Sequence, residues 1–261
     1  MIESIASMAE AFQRDGHCAV RGLATPDEVA SIRPAIEAAA AQRTSSVAPL
    51  EERDTYGKAF LQAINLWRLD DAVRSFVFDR RFAQAAATLL GVASVRLYHD
   101  QALIKEPGGG PTPWHQDQRY WPLDTTDTIT MWMPLVDVAP EVGSMIFASG
   151  SNRLGDLGGP AISDESEAMF AASVKERKLP QHTYGALAAG DATFHAGWTL
   201  HRAGTNPTNA SRPVMTIIYY ADGARVTEPV DDYQRWDLAL WLKGSVPGEL
   251  ANGERNPLLW P

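Results

Sequence analysis

The sequence predicts a mainly β fold, a jelly roll of short strands with helices packed along one side. Three observations carry this prediction. From about residue 95 onward, short segments rich in β-branched and aromatic residues recur between Gly and Pro punctuation. They do not alternate with helices in a βαβ rhythm, which disfavours a parallel sheet. The clearest helical periodicities gather in the first third of the chain. With 261 residues the chain suits a single domain. Its parts are expected as a helical region over about 1–94, a barrel over about 95–225, and an insertion over about 153–181.

Taken in order, the first helix is announced by Thr25-Pro26-Asp27-Glu28. Thr25 can cap the helix, Pro26 fits the first helical position, and Glu28 can close a capping box. Val29, Ile32 and Ile36 follow at helical spacing. A second, Ala-rich helix is expected from Arg80 to Leu90, stopped by Gly91. The strands are expected at Val95–Tyr98, Ala102–Ile104, Thr128–Val138, Ser144–Ala148, Ala192–Thr199 and Val214–Tyr220. Between them, Arg153–Gln181 holds a Gly-rich turn and then helical spacing from Glu165 to Lys178, an insertion over one end of the barrel. Pro107-Gly108-Gly109-Gly110-Pro111 lacks the Lys-Ser/Thr and the following helix of a phosphate loop, and is expected to be a flexible active-site loop.

Composition excludes several function classes. A net charge of −9 without a basic stripe disfavours nucleic acid as a partner. No apolar run approaches the roughly 18 to 20 residues of a membrane helix. The acidic start Met1-Ile2-Glu3-Ser4 lacks the pattern of a secretory signal, so a cytoplasmic protein is expected. Cys18 is the single cysteine, so any metal must be held by His and carboxylates.

Among six histidines, only His115 has an Asp two residues later. Chance alone would produce one such pair roughly one time in three. The pair nevertheless makes chemical sense, because residues i and i+2 on an extended segment share a face and can converge on one metal. One further His completes a facial triad that leaves three cis positions open, as Fe(II) enzymes binding a cosubstrate and O2 require. His195 and His201 are the candidates. Arg212, eleven positions after His201 and opening an apolar strand, weighs toward His201, since a buried guanidinium needs an anionic partner and matches a carboxylate such as that of 2-oxoglutarate.

With these residues in view, Trp114-His115-Gln116-Asp117, the stretch from Gly143 to Ser151, and His201-Arg202-Ala203-Gly204-Thr205-Asn206 running to Arg212 resemble the phytanoyl-CoA dioxygenase family. The resemblance covers nearly the whole chain, including an opening strand at Gly16–Leu23. It implies a double-stranded β-helix, a cupin-like jelly roll, and oxygenation of a small-molecule substrate with Fe(II), 2-oxoglutarate and O2. It implies His115, Asp117 and His201 as metal ligands and catalytic residues, and Arg212 as the contact for the 2-oxoglutarate carboxylate. Gln101, Trp132 and Lys105 match further cosubstrate positions. The sequence departs from the family at Ala203, where many relatives have Ser, and at Asn152, where the turn usually has His.

The expected reaction is hydroxylation of an unactivated C–H bond in an amino acid derivative or a secondary metabolite, with release of succinate and CO2. Rival readings are a cupin-like metal protein or isomerase that does not use 2-oxoglutarate, and a zinc hydrolase. Neither has work for Arg212. His195 is expected to have a structural role, His17, His99 and His182 ordinary ones, and one of Trp114, Tyr120 and Trp121 is a candidate substrate contact.

Overall fold

The computed structural model describes residues 5–261, so the acidic start at Met1–Ser4 lies outside the described residues. Helix α1 (Ala9–Asp15) ends at Gly16, whose φ of 82° suits glycine, and hands the chain to strand β1 (His17–Val20). A side chain at Gly16 would also collide with Thr199, 2.5 Å from the position of a Cβ. Helix α2 (Pro26–Thr44) starts with the capping box expected from the sequence: Thr25 Oγ1 accepts from the Glu28 N–H, and Glu28 accepts from the Thr25 N–H. Val29, Ile32 and Ile36 are its buried stripe.

Helix α3 (Thr55–Ala59), strand β2 (Leu61–Ile64) and helix α4 (Asp71–Val77) lead to helix α5 (Arg80–Leu90). That helix stops at left-handed Gly91 as expected, and buries Phe82, Leu89 and Leu90. Strands β3 (Val95–Lys105), β4 (Thr112–His115), β5 (Thr128–Pro134) and β6 (Met145–Ala148) follow. Then come helix α6 (Asp164–Glu176), strands β7 (Gln181–His182), β8 (Ala192–Ala196), β9 (His201–Ala203) and β10 (Arg212–Ala221), helix α7 (Asp232–Leu240) and strand β11 (Leu258–Trp260).

All pairings between these strands are antiparallel. The large sheet runs β1-β8-β5-β10-β3-β11, with β2 also pairing to β3, and the small sheet runs β4-β9-β6-β7. These curled sheets with flanking helices form the double-stranded β-helix. Two-residue alternation explains how the large sheet serves two purposes. On β5 and β10, Ile129, Met131, Met133, Met215 and Ile217 pack outward against the helices. The intervening Thr130, Trp132, Thr216 and Ile218 turn inward to line a cavity.

The structure departs from the sequence reading in several places. Val95–Lys105 is one strand rather than two. The polar His99-Asp100-Gln101 reads as a break, but Asp100 turns outward to accept from the Leu66 and Trp67 N–H groups while His99 and Gln101 face the cavity. The helical first third contributes an unforeseen strand, β2, besides β1, which falls on the opening strand expected at Gly16–Leu23; both join the large sheet. The barrel sheet extends past the expected limit at about 225, since β11 pairs with β3, and Tyr98 donates to Asp237 within α7.

The Gly-rich loop is pinned, not free: Gly110 N–H donates to Lys58, and Asn206 N–H to Gly109. The insertion helix α6 is docked by buried Phe170 and Val174 against Trp114 and Leu200, and only Ala161 and Ile162 of the insertion reach the cavity. No described helix is long and apolar enough to cross a membrane.

Candidate active site

His115 closes β4 and His201 opens β9, and the two are cross-strand partners in the small sheet. Asp117 follows in a short 3-10 turn just past the strand. One device orients both imidazoles: His115 Nδ1–H donates to the Pro113 carbonyl at 2.7 Å, and His201 Nδ1–H to the Thr199 carbonyl at 2.9 Å. A carbonyl can only accept, so each Nδ1 carries the proton and each Nε2 presents a lone pair. Both lone pairs face Asp117 Oδ1, at 3.5 Å from His115 and 3.6 Å from His201. The three potential ligand atoms lie within 4.8 Å of one another, the spacing of a metal site.

The other oxygen of Asp117 is already engaged. Thr130 Oγ1 donates to Oδ2 at 2.9 Å, and His195 Nε2 lies 3.1 Å from it. This fixes the carboxylate plane and leaves Oδ1 for the two imidazoles, the usual way outer residues orient a ligand. His195, on β8, therefore grips the carboxylate from the large sheet. Burial, together with His115 and His195, holds His201 well below its ordinary value, so its ring is neutral and can donate a lone pair.

Arg212 is the first residue of β10 and only 3% exposed. Its guanidinium lies 5.1 Å from the Trp132 ring centroid, and its Nε and Nη1 have no hydrogen-bond partner among the described residues. Burial lowers its pKa to about 10, which leaves it cationic at neutral pH. A buried cation with idle donors is costly unless an anion completes it. Arg212 and the His115–Asp117–His201 cluster open onto one cavity of about 440 Å³.

Gln101 and Trp132 line this cavity, as the resemblance implies; Gln101 Oε1 also accepts from Gln62 at 2.6 Å. Lys105 stands opposite Arg212 in register, but its ammonium turns away to the carbonyls of Ala59 and Gly110 and does not reach the cavity wall. Burial and the neighbouring Arg212 push its pKa down to about 7. Of the aromatics flanking the metal motif, Tyr120 and Trp121 line the cavity, whereas Trp114 turns to the far side and packs under Arg202.

Sequence reasoning missed Thr130, His99 and the whole mouth of the cavity. Thr130 was signalled by the polar positions at every second residue of an apolar strand. The mouth is formed by α7 and the residue after it, with Tyr233, Trp236, Asp237, Leu240 and Trp241 in the wall. Its signal was the capping Asp231 followed by aromatic and acidic residues at helical spacing.

Comparisons with known proteins agree with this geometry. Residues 12–214 match the phytanoyl-CoA dioxygenase (PhyH) family. The chain is 28% identical over 159 residues to a probable alpha-ketoglutarate-dependent hypophosphite dioxygenase of Stutzerimonas stutzeri. That match spans 59% of this chain and 54% of the relative, so the chain spans about half the length of the curated relative it matches. Among solved structures, it is similar to the epimerase SnoN from nogalamycin biosynthesis, solved in complex with Fe3+, alpha ketoglutarate and nogalamycin RO. The identity is 28%, the TM-score 0.78, and the coverage 98% of this chain and 99% of that one. The carbocyclase SnoK, at 24% identity, TM-score 0.77, and coverage of 97% and 95%, shares the fold. The chain belongs to the phytanoyl-CoA dioxygenase family, within the Fe(II)- and 2-oxoglutarate-dependent dioxygenase superfamily.

Proposed function

We propose that this chain is an Fe(II)- and 2-oxoglutarate-dependent oxygenase that hydroxylates an unactivated C–H bond of a small organic substrate, an amino acid derivative or a secondary metabolite. In this reading, Fe(II) is held by Nε2 of His115 and His201 and by Oδ1 of Asp117, and the far carboxylate of 2-oxoglutarate by Arg212. The observation that carries it is the buried guanidinium with idle donors facing the same cavity as the two imidazoles and carboxylate. Neither a hydrolase nor a simple metal-binding barrel has use for such a cation. The donor set fits Fe(II), with two neutral nitrogens and one anionic oxygen on one side of the ion.

When bound, the iron and cosubstrate supply the oxidising chemistry, and the chain supplies placement. Thr130 and His195 keep Asp117 turned so that one oxygen is available. Pro113 and Thr199 hold the imidazole tautomers. Trp132 beneath Arg212 keeps water from the guanidinium and gives it a flat surface to lie on. Gln101, tethered by Gln62, forms the adjoining wall. Since relatives are described as an epimerase and a carbocyclase, the outcome depends on which substrate hydrogen is presented to the metal, and hence on the mouth of the cavity.

The test is incubation with Fe(II), 2-oxoglutarate and O2. Formation of succinate and CO2 that stops when iron is chelated is expected. No succinate from iron-loaded, folded protein would overturn the reading.

A further inference from the structure

Beyond the triad and Arg212, the cavity extends to α7, and the other charged residues of its wall are Asp54, Arg202 and Asp237. Arg202 is engaged by Glu167 at 3.2 Å and lies over Trp114 at 5.0 Å. Asp54 caps α3 by accepting from the Gly57 N–H at 2.7 Å. Asp237 is the remaining carboxylate. It accepts from the Tyr98 hydroxyl at 2.8 Å and has no ion-pair partner among the described residues.

Tyr98 and the Trp241 side chain hydrogen-bond this carboxylate, and further aromatic rings share the cavity wall with it. Trp241 lies 5.6 Å from His99, and Trp236, 64% exposed, lies 6.0 Å from Tyr233. Tyr233 in turn meets Tyr120 edge-on at 5.7 Å. Arg119 already covers Tyr120 and Tyr233, at 5.5 and 5.4 Å, and is itself neutralised by Asp231 at 2.9 Å. Trp236 and Trp241 carry no cation of the protein's own among the described residues. In the same wall, His99 is buried with its Nδ1 unpartnered, and burial pushes its pKa down to about 4, so it is a neutral polar group rather than a competing charge.

A carboxylate lacking a cation, in a wall that also holds two indole rings, is the chemistry that recognises an ammonium group. Burial pushes the Asp237 pKa up to about 7 in spite of hydrogen bonds from the Tyr98 and Trp241 side chains, a cost that a cationic ligand would relieve. Among the described residues of the cavity wall, the one cation besides Arg212 is Arg202, which is already paired with Glu167.

We infer that the substrate of this cavity carries a protonated amine, seated against Asp237 and the indole rings of Trp236 and Trp241, with the carbon to be oxidised extending toward the triad. The inference rests on the oxygenase reading for the identity of the site, while the ammonium seat depends only on the mouth.

The experiment is calorimetric titration of anaerobic protein, loaded with Fe(II) and saturated with 2-oxoglutarate, using benzylamine, benzyl alcohol and benzoate as probes of one shape and three charges. Benzylammonium is expected to bind about tenfold tighter than benzyl alcohol or better, with benzoate weakest. Asp237→Asn should remove that preference. Trp236→Ala, at an exposed position that spares the fold, should reduce it severalfold. Equal binding of the amine and the alcohol, or a preference that survives both substitutions, would overturn the inference. Succinate formation, assayed in parallel, separates the two readings. Succinate without a cation preference sinks the ammonium seat alone, and a cation preference without succinate sinks the oxygenase reading alone.

Discussion

At the inner end of the cavity, His115 and His201 hang from paired strands with both Nδ1–H groups tied to backbone carbonyls, and Asp117 is gripped by Thr130 and His195. At the mouth, Tyr233, Trp236 and Asp237 project from α7, a helix that fully buries none of its residues. The inner end is over-determined, with each reactive atom held through a second hydrogen bond and two sheets. The mouth is held by a few side-chain contacts, among them Tyr98 to Asp237 and Gln234 to Arg119. The difference separates the two tasks of such an enzyme. Chemistry common to a family needs fixed ligands, whereas choice of substrate needs a wall that can change without disturbing them.

The strongest way to break this contrast is at the ligands. His115→Ala, Asp117→Ala and His201→Ala should each lower iron affinity and turnover by about 100-fold or more, measured by metal titration and by succinate yield. A triad member whose loss leaves iron affinity intact would remove it from the site. Next, Arg212→Lys keeps a charge but loses the planar fork. With about 1.5 to 3 kcal/mol of charge-assisted hydrogen bonding at stake, the KM for 2-oxoglutarate should rise roughly 10- to 150-fold while iron affinity holds. An unchanged KM would detach Arg212 from the cosubstrate.

His195→Ala sharpens the comparison within the inner end. It removes a partner of Asp117 and not a ligand, so the expected loss is about tenfold, smaller than for any triad member. Greater loss in His195→Ala than in His201→Ala would exchange their roles. The remaining effects concern stability and should leave the chemistry of the triad untouched. Trp132→Ala, in the inner wall at 3% exposure, should cost about 3 to 5 kcal/mol. Trp236→Ala should change unfolding free energy by no more than about 0.5 kcal/mol, because it leaves no cavity. Denaturant melts of the two variants check both values, and equal losses would dissolve the distinction between a rigid interior and a permissive mouth.

The same contrast explains what could be read from the sequence. The capping box at Thr25, the stop at Gly91 and the His115–Asp117 pair are local, set by residues a few positions apart, and were legible. The choice between His195 and His201 was harder, because both lie on the inner face of the barrel and both approach Asp117. What distinguishes them is which carboxylate oxygen each one meets, a fact of three strands brought together. Lys105 matches a cosubstrate position in sequence, yet Ala59 and Gly110, from two other segments, draw its ammonium aside. The break read at His99–Gln101 arose because an inward-facing polar residue in a strand looks like a turn until the cavity it lines is known. The mouth stayed hidden because the pattern after Asp231 announces a helix but not that α7 returns to the cavity from beyond the barrel.

The most direct measurement is the structure of crystals soaked anaerobically with Fe(II) and 2-oxoglutarate. The account predicts one metal bound by Nε2 of His115, Nε2 of His201 and Oδ1 of Asp117, with His195 outside the coordination sphere and the far carboxylate of 2-oxoglutarate paired with the guanidinium of Arg212. Iron ligated by His195 in place of His201, or a cosubstrate carboxylate bound away from Arg212, would contradict it.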